Sequence, residues 1–95
     1  MNHLTSAVLW EVLLRREPRL ELLRSELAEV KDEGGASFCA NRLWYVRYEP
    51  ELKGLVGKDA EIDDPLLRMP EAYELSRHIL YRLLPNCRDC VCVPW

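Results

Sequence analysis

Apolar residues recur along the chain at helical spacing, and short stretches rich in proline, glycine or charge separate them. In "TSAVLWEVLLRR", Thr5 to Arg16, the residues Val8, Leu9, Trp10, Val12, Leu13 and Leu14 leave few polar positions. A helix that apolar belongs at the centre of a core or forms half of an interface, so a homodimer through this segment is one expectation. Thr5 or Ser6 supplies the N-cap oxygen. The second segment, "EPRLELLRSELAEVKDEGG", opens on Pro18, suited to a first helical position because its missing N–H is not needed there. Leu20, Leu23, Leu27 and Val30 then draw a single apolar stripe. Gly34 and Gly35 are read as the stop, since glycine accepts the left-handed cap conformation. The two segments are joined so tightly that residues 1–35 predict an antiparallel helical hairpin.

Residues 36–57 read two ways. Cys39, Ala40, Leu43 and Val46 share a helical face, with Ser37 as a cap, whereas "LWYVRY" has the aromatic and β-branched content of a strand. The helical reading is preferred because no turn signal or partner strand stands nearby. Proline disfavours helical geometry in the residue before it, which predicts a break at Glu49 ahead of Pro50. A short helix capped near Gly57 follows, then a polar loop, "KDAEIDD". The last helical segment, 64–85, starts at Asp64-Pro65 and restarts at Pro70. Ala72, Leu75, Ile79 and Leu83 line its apolar face, with Leu80 and Leu84 beside them. Glu74 and His78 are four apart on this helix and predict an ion pair that raises the histidine's proton affinity. The expected architecture is mainly α: one domain over residues 1–95, four or five helices in a compact bundle, with a cysteine-rich tail at 86–95 folding back onto it. An α+β domain with a short strand or hairpin at 43–48 is the alternative.

Composition narrows the functional classes. The chain has 95 residues, 48% hydrophobic and 31% charged, with a net charge of −3. That is globular rather than disordered, and too short for a wide stability margin. Both signs of charge are interspersed, so a broad electrostatic grip on a phosphate backbone is not expected. No stretch reaches the length of apolar sequence a membrane span needs. "MNHLTSAVLWEVLLRRE" lacks the positive first region and small-residue cleavage site of a secretory leader. A cytoplasmic location is the expectation, and there thiols stay reduced.

The chemistry-bearing residues gather at the end. "NCRDCVCVPW" holds Cys87, Cys90 and Cys92, three of the four cysteines, at C-x-x-C-x-C spacing. A tight C-x-x-C turn aims two sulfurs at one ion, and zinc prefers four thiolates, or sulfur with imidazole, in a tetrahedron. Cys39 is the natural fourth ligand, with His78 and then His3 as substitutes. Zinc is expected ahead of an iron–sulfur cluster. A structural zinc site is worth on the order of 10–16 kcal/mol of apparent binding free energy, large beside the stability of so short a domain. Two other uses of these sulfurs compete: thiol–disulfide cycling through the C-x-x-C pair, and plain burial, cysteine being a small apolar side chain that needs no cofactor.

A second group interleaves aromatic and basic residues: Phe38, Arg42, Trp44, Tyr45, Arg47 and Tyr48. Such a set can form a protein-binding hot spot, stack nucleobases, or serve as core whose arginines reach outward. Trp95, at the end of the tail, either packs on the fold or anchors a partner. The acidic positions Asp59, Glu61, Asp63 and Asp64 lack calcium-loop spacing and read as a solvated loop. A Cys39–His78 nucleophile and base remains a minor catalytic reading. The leading expectation is a non-enzymatic interaction or regulatory module, an inhibitor or adaptor of a larger complex, stabilised by a cysteine-bound metal and binding a protein partner. A redox or iron–sulfur protein, and a nucleic-acid module using Arg42, Trp44, Tyr45 and Arg47, are the alternatives. If zinc is the clamp, Cys90→Ser loses the metal and melts well below the wild type. An unchanged melting temperature, with no zinc by elemental analysis of the wild type, overturns the metal reading.

Overall fold

A computed structural model describes residues 5–31 and 39–85, and within them the chain is mainly helical. Helix α1 spans Ser6–Arg16 and α2 spans Pro18–Glu29. The Thr5 side chain caps α1 by accepting from the Val8 N–H at 3.2 Å. A single residue, Glu17, separates the two helices and serves both. Its backbone is extended (φ −134°, ψ 91°), as the following Pro18 demands. Its N–H still closes the last turn of α1 on the Leu13 carbonyl at 2.9 Å. Its carboxylate accepts from the Arg19 N–H at 3.1 Å, which makes it the N-cap of α2, and also takes the Arg19 guanidinium at 3.0 and 3.3 Å. The expected stripe on α2 is present: Leu20, Leu23 and Leu27 are buried and Val30 is half-buried. The helix stops at Glu29, earlier than the glycines imply, with the Val30 N–H turning back to Leu27; Gly34 and Gly35 lie outside the described residues, as does Ser37.

The expectation for α1 needs correction. Leu13 is its one fully buried side chain, Leu9, Trp10, Val12 and Leu14 are half-buried, and Val8 is exposed. This helix packs on α2 and α5 along one side only, so it flanks the core instead of occupying its centre.

Residues 40–55 form one helical run with a change of pitch. Helix α3, Ala40–Leu43, passes into a π turn, Trp44–Tyr48, and then into α4, Glu49–Leu55. "LWYVRY" is therefore helical, and the strand alternative for 43–48 is overturned. The predicted break at Glu49 is overturned as well, since that residue is helical (φ −61°, ψ −42°). The π turn reconciles the helix with Pro50. Proline has no N–H to give and its ring clashes with the carbonyl four residues back in α-helical register. Here the ladder widens first, the Glu49 N–H bonding Trp44 five residues back, so Pro50 enters as a first-turn residue of α4. The run thereby keeps Trp44, Tyr48, Leu52 and Leu55 in the core. The Trp44 ring meets Tyr81 edge-on, with centroids 5.5 Å apart and planes at 88°, an arrangement the ring quadrupoles favour.

Gly57 turns the chain after α4 with φ +94°, and its N–H bonds the Leu67 carbonyl at 2.8 Å. The segment that follows is not a merely solvated loop: Ala60 and Leu67 are buried, and Asp64 accepts from the Leu66 N–H and from Arg16 at the end of α1. Helix α5 spans Pro70–Tyr81, so Asp64-Pro65 opens a turn and not the helix. Its inward line is Ala72, Ser76 and Leu80, continued by Leu84, while Leu75 and Ile79 are half-buried and Leu83 is exposed. The predicted face is rotated because α5 packs against α1, α2 and α4 together, and the small residues Ala72 and Ser76 are among those it buries.

Glu17 offers a direct test of this packing. Loss of an N-cap side chain costs about 1–2 kcal/mol, so Glu17→Ala should lower Tm by roughly 5–10 °C. The Arg19 hydrogen bond holds this carboxyl below its ordinary value of 4.5, so its stabilisation is complete above that pH and fades as pH falls through the depressed value. In denaturant titrations the gap between wild type and Glu17→Gln should therefore narrow in acid.

Candidate functional site

The sequence-predicted metal set is only partly within the described residues. Cys87, Cys90 and Cys92 lie outside them, as do His3, Phe38 and Trp95. Cys39 is described. It precedes α3 as its N-cap, half-buried, with Sγ 3.5 Å from the Arg42 N–H, and it is disulfide-bonded. Two residues on, the Asn41 side-chain carbonyl accepts the Tyr81 hydroxyl, which ties the start of α3 to the last residue of α5. His78 stands exposed on α5 with Nε2 3.3 Å from the Arg82 guanidinium. That contact takes the place of the expected pair with Glu74. Among the described residues no three His, Cys, Asp or Glu side chains gather closely enough to hold a metal ion.

The Arg/aromatic group divides. Trp44 and Tyr48 are core residues, so neither presents a free ring face to a partner or a nucleobase. Arg42, Tyr45 and Arg47 lie at the surface, joined by Val46, which is 56% exposed. Contacts to α5 and α2 orient this surface. The Arg77 guanidinium donates to the Tyr45 hydroxyl at 3.3 Å, and Arg47 pairs with Glu26 of α2 while its guanidinium lies 5.4 Å from the centre of the Tyr48 ring. Leu22, one helical turn before Glu26 on α2, is 68% exposed.

Sequence reasoning missed the polar cluster beside this surface. The Glu49 carboxylate accepts the Tyr73 hydroxyl at 2.9 Å, with Lys53 Nζ at 3.4 Å and Arg77 Nε at 3.9 Å. Arg77 also lies over the Tyr81 ring at 5.7 Å, so one side chain links the π turn, α4 and the end of α5. The i, i+4 spacing of Glu49 and Lys53 was legible in the sequence. Their meeting with Tyr73 and Arg77 depends on how α4 and α5 pack. An open cleft of about 430 Å³ adjoins the cluster, lined by Lys53, Val56, Gly57, Lys58, Asp59, Pro70, Tyr73 and Glu74. Gly57 shapes it, because a Cβ there would come within 3.0 Å of the Tyr73 Cβ.

No family model matches this chain, and no curated protein and no solved structure matches it either.

Burial, then the hydrogen bond to Glu49, pushes the Tyr73 hydroxyl up from 10 to about 12. It stays a neutral donor across the physiological range. Because the folded value is raised, its stabilisation is present below pH 10 and is lost as pH rises toward 12. Ultraviolet titration should show a tyrosine ionising near pH 12, and Tyr73→Phe should remove that step and cost about 1 kcal/mol.

Proposed function

We propose that this protein is a non-enzymatic interaction module whose contact surface is the outward side of the π turn, Arg42, Tyr45, Val46 and Arg47, extended by Leu22 of α2. The observation that carries the reading is the exposure of Val46 and Tyr45 between two buried aromatic side chains, Trp44 and Tyr48. Large apolar side chains placed in water gain free energy when a partner covers them. Tyrosine and arginine are the residue types enriched where binding energy concentrates. Tyr45 is already oriented by Arg77 and Arg47 by Glu26, so less side-chain freedom is lost on association. A protein partner fits better than a nucleic acid, because the tryptophan best suited to base stacking is enclosed and the guanidinium groups of Arg47 and Arg77 already have partners. No helix among the described residues is long and apolar enough to cross a membrane.

Two surface substitutions test the proposal. Val46→Asp and Leu22→Asp lie at exposed positions and should change folding stability by about 0.5 kcal/mol or less. Each should weaken binding at least tenfold to a partner recovered by cross-linking to the wild type, with modest dependence on salt. Unchanged affinity in a folded Val46→Asp chain overturns the assignment. Affinity that instead collapses with rising salt identifies a nucleic-acid partner and overturns it too.

A further inference from the structure

The cleft between the end of α4 and the start of α5 carries an inference independent of the contact surface. Its volume of about 430 Å³ suits a small molecule and not a folded partner. Val56 and Gly57 line it as buried residues, and the half-buried Tyr73 and the exposed Pro70 add apolar surface. The lining is close-packed where Gly57 meets Tyr73, since a Cβ at Gly57 would stand 3.0 Å from the Tyr73 Cβ. Four charged side chains complete it, Lys53, Lys58, Asp59 and Glu74, two of each sign. Lys53 is on α4 and Glu74 is on α5. Lys58 and Asp59 are the central residues of a turn that the Ala60 N–H closes on the Gly57 carbonyl at 3.1 Å. Lys53 is paired with Glu49 at 3.4 Å. Among the described residues Lys58, Asp59 and Glu74 form no ion pair, so opposite charges line one cavity without neutralising one another.

We propose that the cleft binds a small zwitterion with an apolar body, the chemistry of a free amino acid with a large hydrophobic side chain. The formal charges of the lining sum to zero, so neither a simple anion nor a simple cation is favoured. Either would meet as much like charge as opposite charge. A ligand carrying both charges satisfies both signs at once. Its carboxylate takes the Lys58 ammonium, which has no carboxylate of the described residues to give up. Its ammonium takes Asp59 or Glu74. Its side chain covers Val56 and the Tyr73 ring and so removes apolar surface from water. Filling the cleft also displaces water from the charge pairs, which strengthens them. The Tyr73 hydroxyl is already donated to Glu49, so Tyr73 contributes a wall and not a donor.

A nuclear magnetic resonance titration of the full chain tests this with three probes that share one ring. They are free phenylalanine, phenylpropionate, which keeps only the carboxylate, and phenylethylamine, which keeps only the ammonium. Phenylalanine should shift the Gly57, Lys58 and Tyr73 amide signals saturably and bind roughly fivefold more tightly than either control. Absence of a saturable shift at these residues overturns the proposal. Equal affinity for the three probes also overturns it, since the cleft then recognises only the ring. Lys58→Met keeps the apolar length of the side chain at an exposed position and should fold as the wild type does. It should weaken phenylalanine binding roughly threefold and leave phenylethylamine binding no weaker. A folded Lys58→Met chain with wild-type affinity for phenylalanine overturns the assignment. Val46 lies outside the cleft lining, so this result and the partner-binding result are read separately, and either reading can fail while the other stands.

Discussion

The passage of one helical run through Pro50 is the constraint on which this structure depends. Trp44, Tyr48, Leu52 and Leu55 must all face the core, yet Pro50 lies among them and cannot sit in an uninterrupted α-helical ladder. The π turn absorbs the conflict by carrying the Trp44 carbonyl's bond to Glu49. Such insertions are uncommon and recur at functional positions. Here the same turn that spares Pro50 sets which side chains go inward and which remain in water, Trp44 and Tyr48 against Tyr45, Val46 and Arg47. Contact surface and core are thus two sides of one local adjustment.

Around that run the fold is fastened by groups that each serve two elements. Glu17 closes α1 with its backbone and opens α2 with its carboxylate. Arg77 reaches Tyr45, Glu49 and the Tyr81 ring. Asp64 holds its own turn and the end of α1. In a chain with little core to spare, such shared contacts limit the relative motion of short helices more than isolated surface ion pairs would. The core is not wholly satisfied: the Trp44 indole N–H and the Ser76 hydroxyl are buried without a hydrogen-bond partner among the described residues. Each such group costs about 1–3 kcal/mol. Both lie on the helices that position the proposed surface, so that surface is held by a core with unused polar capacity.

The amino-acid sequence by itself determined the helices whose periodicity or boundaries are local. The leucine stripe of α2, the threonine cap of α1, the Pro18 start and the turn at Gly57 follow from side-chain spacing and backbone sterics within a few residues. It also determined that four cysteines fall into one upstream residue and one terminal cluster. Tertiary structure decided the rest. The helical state of "LWYVRY" and the helical Glu49 run against local preference, and burial of Trp44 and Tyr48 outweighs that preference. The inward face of α5 is set by three neighbours, and one of its fully buried side chains is a serine, which periodicity of apolar residues cannot select. The meeting of Glu49 with Tyr73, of Arg47 with Glu26 and of Asn41 with Tyr81 joins residues more than twenty positions apart. Those distances are fixed by how helices pack, a property of the whole chain that no window of sequence contains.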